Sequence, residues 1–224
     1  MKRLAGKRIL VTQADEYMGP DIIALFREEG ADVIEDRTDL TQPGACEKVI
    51  ADAGHIDVLI ANLAASANLG VTCMGMPDDI WSEMFDVMVH PLHRLSRAVL
   101  PQMTERQKGK IIVVGSATGL KGIAGASAYS AARAAQIGYI RSASQEVASA
   151  NVQINLIAQI WVENPAYFPP EFQATPEFKE MFKSVPMPRL ATGREDALFA
   201  LFLSSDESDF FVGQAIPFCG GWAQ

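Results

Sequence analysis

Short runs of β-branched and aliphatic residues recur along this chain, each followed by a stretch long enough for a helix. This alternation limits the possible folds more than any other feature. Ile111-Ile112-Val113-Val114 is the clearest run, and four apolar residues with no polar alternation suit a strand buried on both faces of a parallel sheet. Arg8–Thr12, Ala31–Glu35, Asp57–Ile60, Val152–Ala158 and Ala215–Phe218 read as further strands. Helices are expected over Pro20–Glu29 (closed by Gly30), Ala45–Ala53, Ile80–Glu105, Tyr129–Ser149 and Arg194–Ser204. In Ile80–Glu105, residues Trp81, Met84, Phe85, Met88, Leu92, Leu95, Val99 and Met103 are spaced for one apolar face. Such a βα succession predicts an α/β fold, a doubly wound parallel sheet flanked by helices, as one domain over residues 1–224.

The chemistry gathers between Ser116 and Arg133. Ser116 would sit just past the carboxyl end of the Ile111–Val114 strand, where the ligand crevices of open α/β sheets lie. After a glycine-containing loop, Tyr129 and Arg133 open a helix four residues apart and so share one face. A free phenol, with a pKa of ~10, is a poor base at neutral pH. A fixed cation close to it favours the phenolate. Arginine does not deprotonate, so it serves as permanent charge and donor rather than proton carrier. A core tyrosine with a surface arginine and a loop serine is the plainer reading of the same residues; the strand and Ser116 upstream favour the catalytic one.

Composition sets the surroundings. A chain of 224 residues, 49% hydrophobic and 21% charged, is ordinary for a globular domain with a sizeable core. A formal charge of −8 and the lack of any basic stripe argue against a nucleic-acid or anionic-membrane partner. Cys46, Cys73 and Cys219 are odd in number and widely spread, which suits a reducing cytoplasm and packing roles. The basic start is followed by an apolar stretch too short for a signal peptide, and nothing approaches a membrane span. His90 and His93 read as a packing face; as a metal pair they lack a third ligand at suitable spacing.

A serine with Tyr-x-x-x-Lys thirteen residues later resembles the active-site signature of the short-chain dehydrogenases/reductases, and this chain carries Arg133 in place of the lysine. The combination Ser116, Tyr129 and Arg133 resembles the halohydrin dehalogenases, cofactor-independent relatives of those reductases, and among them the B-type enzymes. The resemblance covers essentially the whole chain and implies a Rossmann-like architecture. It also implies a homotetramer, paired partly through the helices Ile80–Glu105 and Tyr129–Ser149.

Departures from the reductase pattern point the same way. Where those enzymes resemble Thr-Gly-x-x-x-Gly-x-Gly, this chain reads Thr12-Gln13-Ala14-Asp15-Glu16-Tyr17-Met18-Gly19. Only the last glycine remains; Tyr17 replaces the one that lets backbone approach a pyrophosphate, beside two carboxylates. Asp36 and Asp39 then read as surface charges or remnants of a ribose site. Asn-Asn-Ala-Gly appears as Ala61-Asn62-Leu63-Ala64, the catalytic asparagine as His90, and Pro-Gly as Gln159-Ile160. No dinucleotide, and no other cofactor or metal, is expected.

In the dehalogenases the vacated volume holds a halide, and carry-over of that site points to Tyr17, Gln159, Trp161 and Val162. Backbone N–H groups can hold an anion without formal charge. Thr118, Tyr167 and Phe168 are expected in the substrate pocket. The segment Pro165–Phe172, with Phe178 and Phe182, reads either as a lid or as a core-covering loop. The implied activity is conversion of a haloalcohol to an epoxide and a halide, and the reverse opening by small anions. A nicotinamide-dependent reductase and an inactive ligand-binding scaffold are the alternatives.

Overall fold

The computed structural model describes residues 2–67 and 69–224. Strands β1 (Arg8–Val11), β2 (Asp32–Glu35), β3 (Val58–Asn62), β4 (Gly109–Val114), β5 (Val152–Gln159) and β6 (Ala215–Phe218) make one sheet. Its order is β2-β1-β3-β4-β5-β6, and every neighbouring pair is parallel. The helices are α1 (Gly19–Glu28), α2 (Ala45–Ala53), α3 (Asp78–Met88), α4 (His90–Glu105), α5 (Ser127–Val147), α6 (Pro170–Gln173), α7 (Pro176–Met181) and α8 (Gly193–Ser204). This is the expected Rossmann-like, doubly wound arrangement.

Alternate strand residues feed two apolar layers. Leu10, Leu59, Ile111, Val113 and Leu156 pack with α2, α4 and α5 on one face. Ile9, Val11, Ile60, Ile112 and Ile157 pack with α1 and α8 on the other. The chain leaves β1 for β2 on one side and returns to place β3 on the other. The resulting switch point opens a crevice at the carboxyl ends of β1 and β3.

The expected helix Ile80–Glu105 is two helices. Val89 interrupts it with φ −102° and ψ −51°, between α3 and α4. The cause is Pro91, which has no N–H to donate and whose ring crowds the carbonyl of Val87. Most of the expected apolar face is buried, from Met84 and Met88 to Leu92, Leu95, Val99 and Met103. Trp81 departs from it, 43% exposed and tilted against Phe85 with ring centroids 5.4 Å apart. Cys46 and Cys219 are buried as expected of packing residues, whereas Cys73 is exposed. Among the described residues no helix is long and apolar enough to cross a membrane.

Candidate active site

Ser116 follows β4 through Gly115, whose hydrogen is needed because a Cβ there would lie 2.6 Å from the Leu156 side chain. The Ser116 Oγ accepts from the Thr118 N–H at 3.2 Å and from the Thr118 hydroxyl at 2.9 Å. With its acceptor side engaged, the Ser116 O–H is left to donate to a ligand oxygen. Thr118 therefore does more than line the pocket: it aims the serine. Gly119 seats this loop on α5, since a Cβ there would fall 2.8 Å from the Arg133 backbone.

Tyr129 lies in the first turn of α5 and is buried, 7% exposed. One turn on, the Arg133 guanidinium sits against its ring, 5.0 Å from the centroid. Arg133 is 2% exposed, and its Nη1 donates to the carbonyls of Leu63 at 2.9 Å and Val114 at 3.1 Å and to Gln136 Oε1 at 3.0 Å. These acceptors are neutral, and none of the ion pairs among the described residues involves Arg133. The Arg133 Nε is buried without a partner. A buried cation with no countercharge is costly unless a negative group joins it. Gln136, wholly buried and donating to the Met88 carbonyl at 2.9 Å, is a residue that sequence reasoning missed; its i, i+3 spacing from Arg133 was the available signal.

One cavity of about 470 Å³ is lined by Ser116, Thr118, Tyr129 and Arg133, and also by Tyr17, Gln159, Trp161 and Val162. Tyr167 and Phe168 line it too, with Phe172, so the proline-punctuated segment after β5 forms one wall. Every anticipated site residue thus borders the same space. A second depression of about 620 Å³, lined by Phe178, Lys183 and Arg189 among others, contains none of these anticipated residues.

Tyr17 adopts a left-handed φ of 49°, and its ring tilts against Tyr167 with centroids 5.4 Å apart. Burial, then the charges of Glu16 and Tyr129, push the Tyr17 phenol above its ordinary range. Burial, with Tyr129 next, pushes Tyr167 up as well, and the Tyr167 hydroxyl donates to the Ala65 carbonyl at 2.9 Å. Both stay neutral phenols at physiological pH.

The loop after β5 turns through Trp161, again left-handed at φ 62°. The Trp161 ring packs on Phe168, Phe182 and Trp222, and its Nε1 is buried without a partner. Val162 bridges to Ala191, through bonds that use the Trp161 carbonyl and the Glu163 N–H. The N–H groups of Trp161 and Val162 find no acceptor among the described residues.

His90 is exposed, 3.7 Å from Asp86, and His93 meets Tyr139 edge-on. Among the described residues neither joins a metal-ligand cluster.

The dinucleotide of the reductases that this chain resembles can be set against these residues. The β1–α1 turn is closed on itself: Asn62 Nδ2 donates to the carbonyls of Gln13 and Glu16, both at 3.0 Å. Gln13 pairs through its amide with the backbone of Ala64. Gly19 is required by this packing, because a Cβ would fall 2.5 Å from the Ala14 carbonyl. Tyr17 stands in the approach a pyrophosphate would use, and the Arg37 guanidinium is engaged by Asp15 and Glu35. Asp39 is turned onto Thr41 and Gln42. The turn does not fit a phosphate. Asp36 corrects the expectation of a surface charge: it is 7% exposed, with Oδ2 buried and unpartnered.

A parallel sheet in this order, with serine after β4 and tyrosine opening α5, defines the class, and the chain belongs to the short-chain dehydrogenase/reductase family. The family model described as enoyl-(acyl carrier protein) reductase matches residues 3–223. The 3-oxoacyl-(acyl-carrier-protein) reductase of Vibrio harveyi is 33% identical, over 97% of this chain and 98% of that one. Its counterpart in Escherichia coli K12 is 29% identical over 96% and 97%. Among solved structures, one described as a dehalogenation enzyme superposes with TM-score 0.88 at 30% identity, covering 100% of both chains. A Brucella melitensis 3-oxoacyl reductase with bound NAD shares the fold, with TM-score 0.87 at 24% identity over 100% of this chain and 94% of that one.

Proposed function

We propose that this chain is a halohydrin dehalogenase, converting vicinal haloalcohols to epoxides and halide without a cofactor. The observation that carries this reading is that the base and the anion loop border one cavity: Ser116, Tyr129 and Arg133 with Tyr17, Gln159, Trp161 and Val162. Ser116 donates to the substrate hydroxyl oxygen, and Tyr129 as phenolate takes its proton. The alkoxide oxygen forms a bond to the neighbouring carbon while the carbon–halogen bond breaks, and the halide leaves with the bonding pair. Arg133 supplies the countercharge to the phenolate, and the proton taken by Tyr129 passes to solvent. Nucleophile and leaving group share one molecule, so the site needs to supply only base, orientation and a stabilised leaving anion. Reversal opens epoxides with halide, azide, cyanide or nitrite. Tyr167 and Phe168, with Thr118 behind Ser116, bound a pocket for a small substrate.

The reductase reading is favoured by the sequence relatives and by the buried, unpartnered Asp36 carboxylate oxygen at the end of β2. Incubation with a bromoalcohol separates the two. Bromide release with acidification and no nucleotide supports the dehalogenase, and Tyr129→Phe should abolish it. Oxidation of NADPH by a carbonyl substrate, with no bromide released, supports the reductase.

A further inference from the structure

Behind the loop that follows β5 lies a carboxyl group that the reaction above does not use. Asp196, in the first turn of α8, is wholly buried. Gln159 lines the cavity and also meets Asp196: with its amide oriented to satisfy both groups, Nε2 donates to Oδ1 at 2.8 Å and Oδ2 at 3.2 Å. An amide presents a donor at one end and an acceptor at the other, so two arrangements satisfy this pair. When Asp196 is ionised, Nε2 turns to the carboxylate and Oε1 is left over. When Asp196 is protonated, its O–H donates to Oε1 and the Nε2 end is left over.

We propose that Asp196 is a positioning residue that, through Gln159, sets whether the anion site meets an amide donor or an amide oxygen. The assignment rests on the halide site inferred above. A halide favours the N–H end of Gln159 and disfavours a second negative charge behind it. Anion binding and proton uptake by Asp196 are therefore coupled, and the coupling is reciprocal. Burial, and next the Asp21 carboxylate, push the Asp196 carboxyl up to about 7, which places the exchange in the neutral range.

The charged groups around it leave this exchange to Asp196. From α1, Asp21 reaches the start of α8, where a Cβ on Gly193 would fall 2.1 Å from its Oδ2. On α8 itself, Arg194 pairs with Glu28, and Glu195 with Arg189. Lys110, the charged residue of β4, is held by Ser208 and Asp209, and β5 carries no charge. Tyr17, from the turn before α1, stays neutral. In the proposed reaction, acid pH holds the anion for epoxide opening and alkaline pH speeds halide release.

The test uses the Tyr129→Phe protein, which removes the phenol proposed above as the base. Bromide binding is read by tryptophan quenching between about pH 5.5 and pH 9. The expected dissociation constant rises about tenfold across this range, and less than about twofold when Asp196→Asn is added. Calorimetry of the Tyr129→Phe protein, in two buffers of different ionisation enthalpy, needs no change at Asp196. Net proton uptake on bromide binding near neutral pH is expected. Bromide binding that neither varies with pH nor takes up a proton would overturn the role of Asp196 and leave the halide site standing. No bromide binding at any pH would overturn both.

Discussion

Thr118 holds the Ser116 oxygen by two donated hydrogen bonds, so the serine acts as a donor of fixed direction. Ser116→Ala should lower kcat about 10²-fold, the scale of one donor lost from a developing oxyanion. Thr118→Val should cost about tenfold, since the serine survives and only its aim is lost. Halide-release kinetics measure both; equal losses would mean that Thr118 touches substrate directly. That Ser116, Tyr129 and Arg133 would share one cavity was legible, because strand end and helical spacing place them together. Gln136 was not singled out, because a glutamine on an alanine-rich helix gives no sign of being wholly buried. Asp196 was hidden for another reason: it lies far along the chain from Gln159, and only the packing of α8 against the sheet brings them together.

Strands and helices emerged at close to their expected bounds because each buried run carries its own periodicity and lies between turn residues. The exceptions were the short helices α6 and α7, in a segment read as lid or loop, and the break between α3 and α4. The apolar spacing continues across it, and the proline that disrupts it was outweighed by that pattern. The β1–α1 turn shows what spacing alone leaves open. Its missing glycines were visible, but the tilted packing of Tyr17 on Tyr167 and the bonds from Asn62 depend on distant residues. Gly19, the survivor, serves the packing of α1 onto the turn, where a Cβ would strike the Ala14 carbonyl. Gly19→Ala should therefore destabilise the fold by about 1–3 kcal/mol, lowering Tm by about 2–4 °C for each kcal/mol. Thermal unfolding followed by circular dichroism measures it; an unchanged Tm would mean that the turn yields without cost.

Across the whole molecule the carboxyl groups pull stability in two directions with pH. Glu195 is held down to about 2 by Arg189 and the Thr192 N–H, and Glu35 is held low by Arg37 and Arg27. Such groups contribute stability that is lost as pH falls through their folded-state values. Asp196 acts oppositely: raised from 3.8 to about 7 in the fold, it binds a proton more tightly folded than unfolded. Its contribution is full below the unfolded value and is lost as pH rises from about 4 to about 7. The loss is at most ~4 kcal/mol, reduced by the Gln159 donor that favours the carboxylate. Stability should therefore peak on the acid side of neutrality, and Asp196→Asn should flatten the decline above it, as urea unfolding at a series of pH values would show.

The central claim is that a side chain closes the dinucleotide turn and a small anion takes the nicotinamide's place. Crystals soaked in sodium bromide together with NADP would test it most directly, through the anomalous signal of bromine. The expected map holds bromide at the N–H groups of Trp161 and Val162, beside Tyr17, with no nucleotide density. NADP lying across Tyr17, Met18 and Gly19, with its nicotinamide beside Trp161, would contradict it.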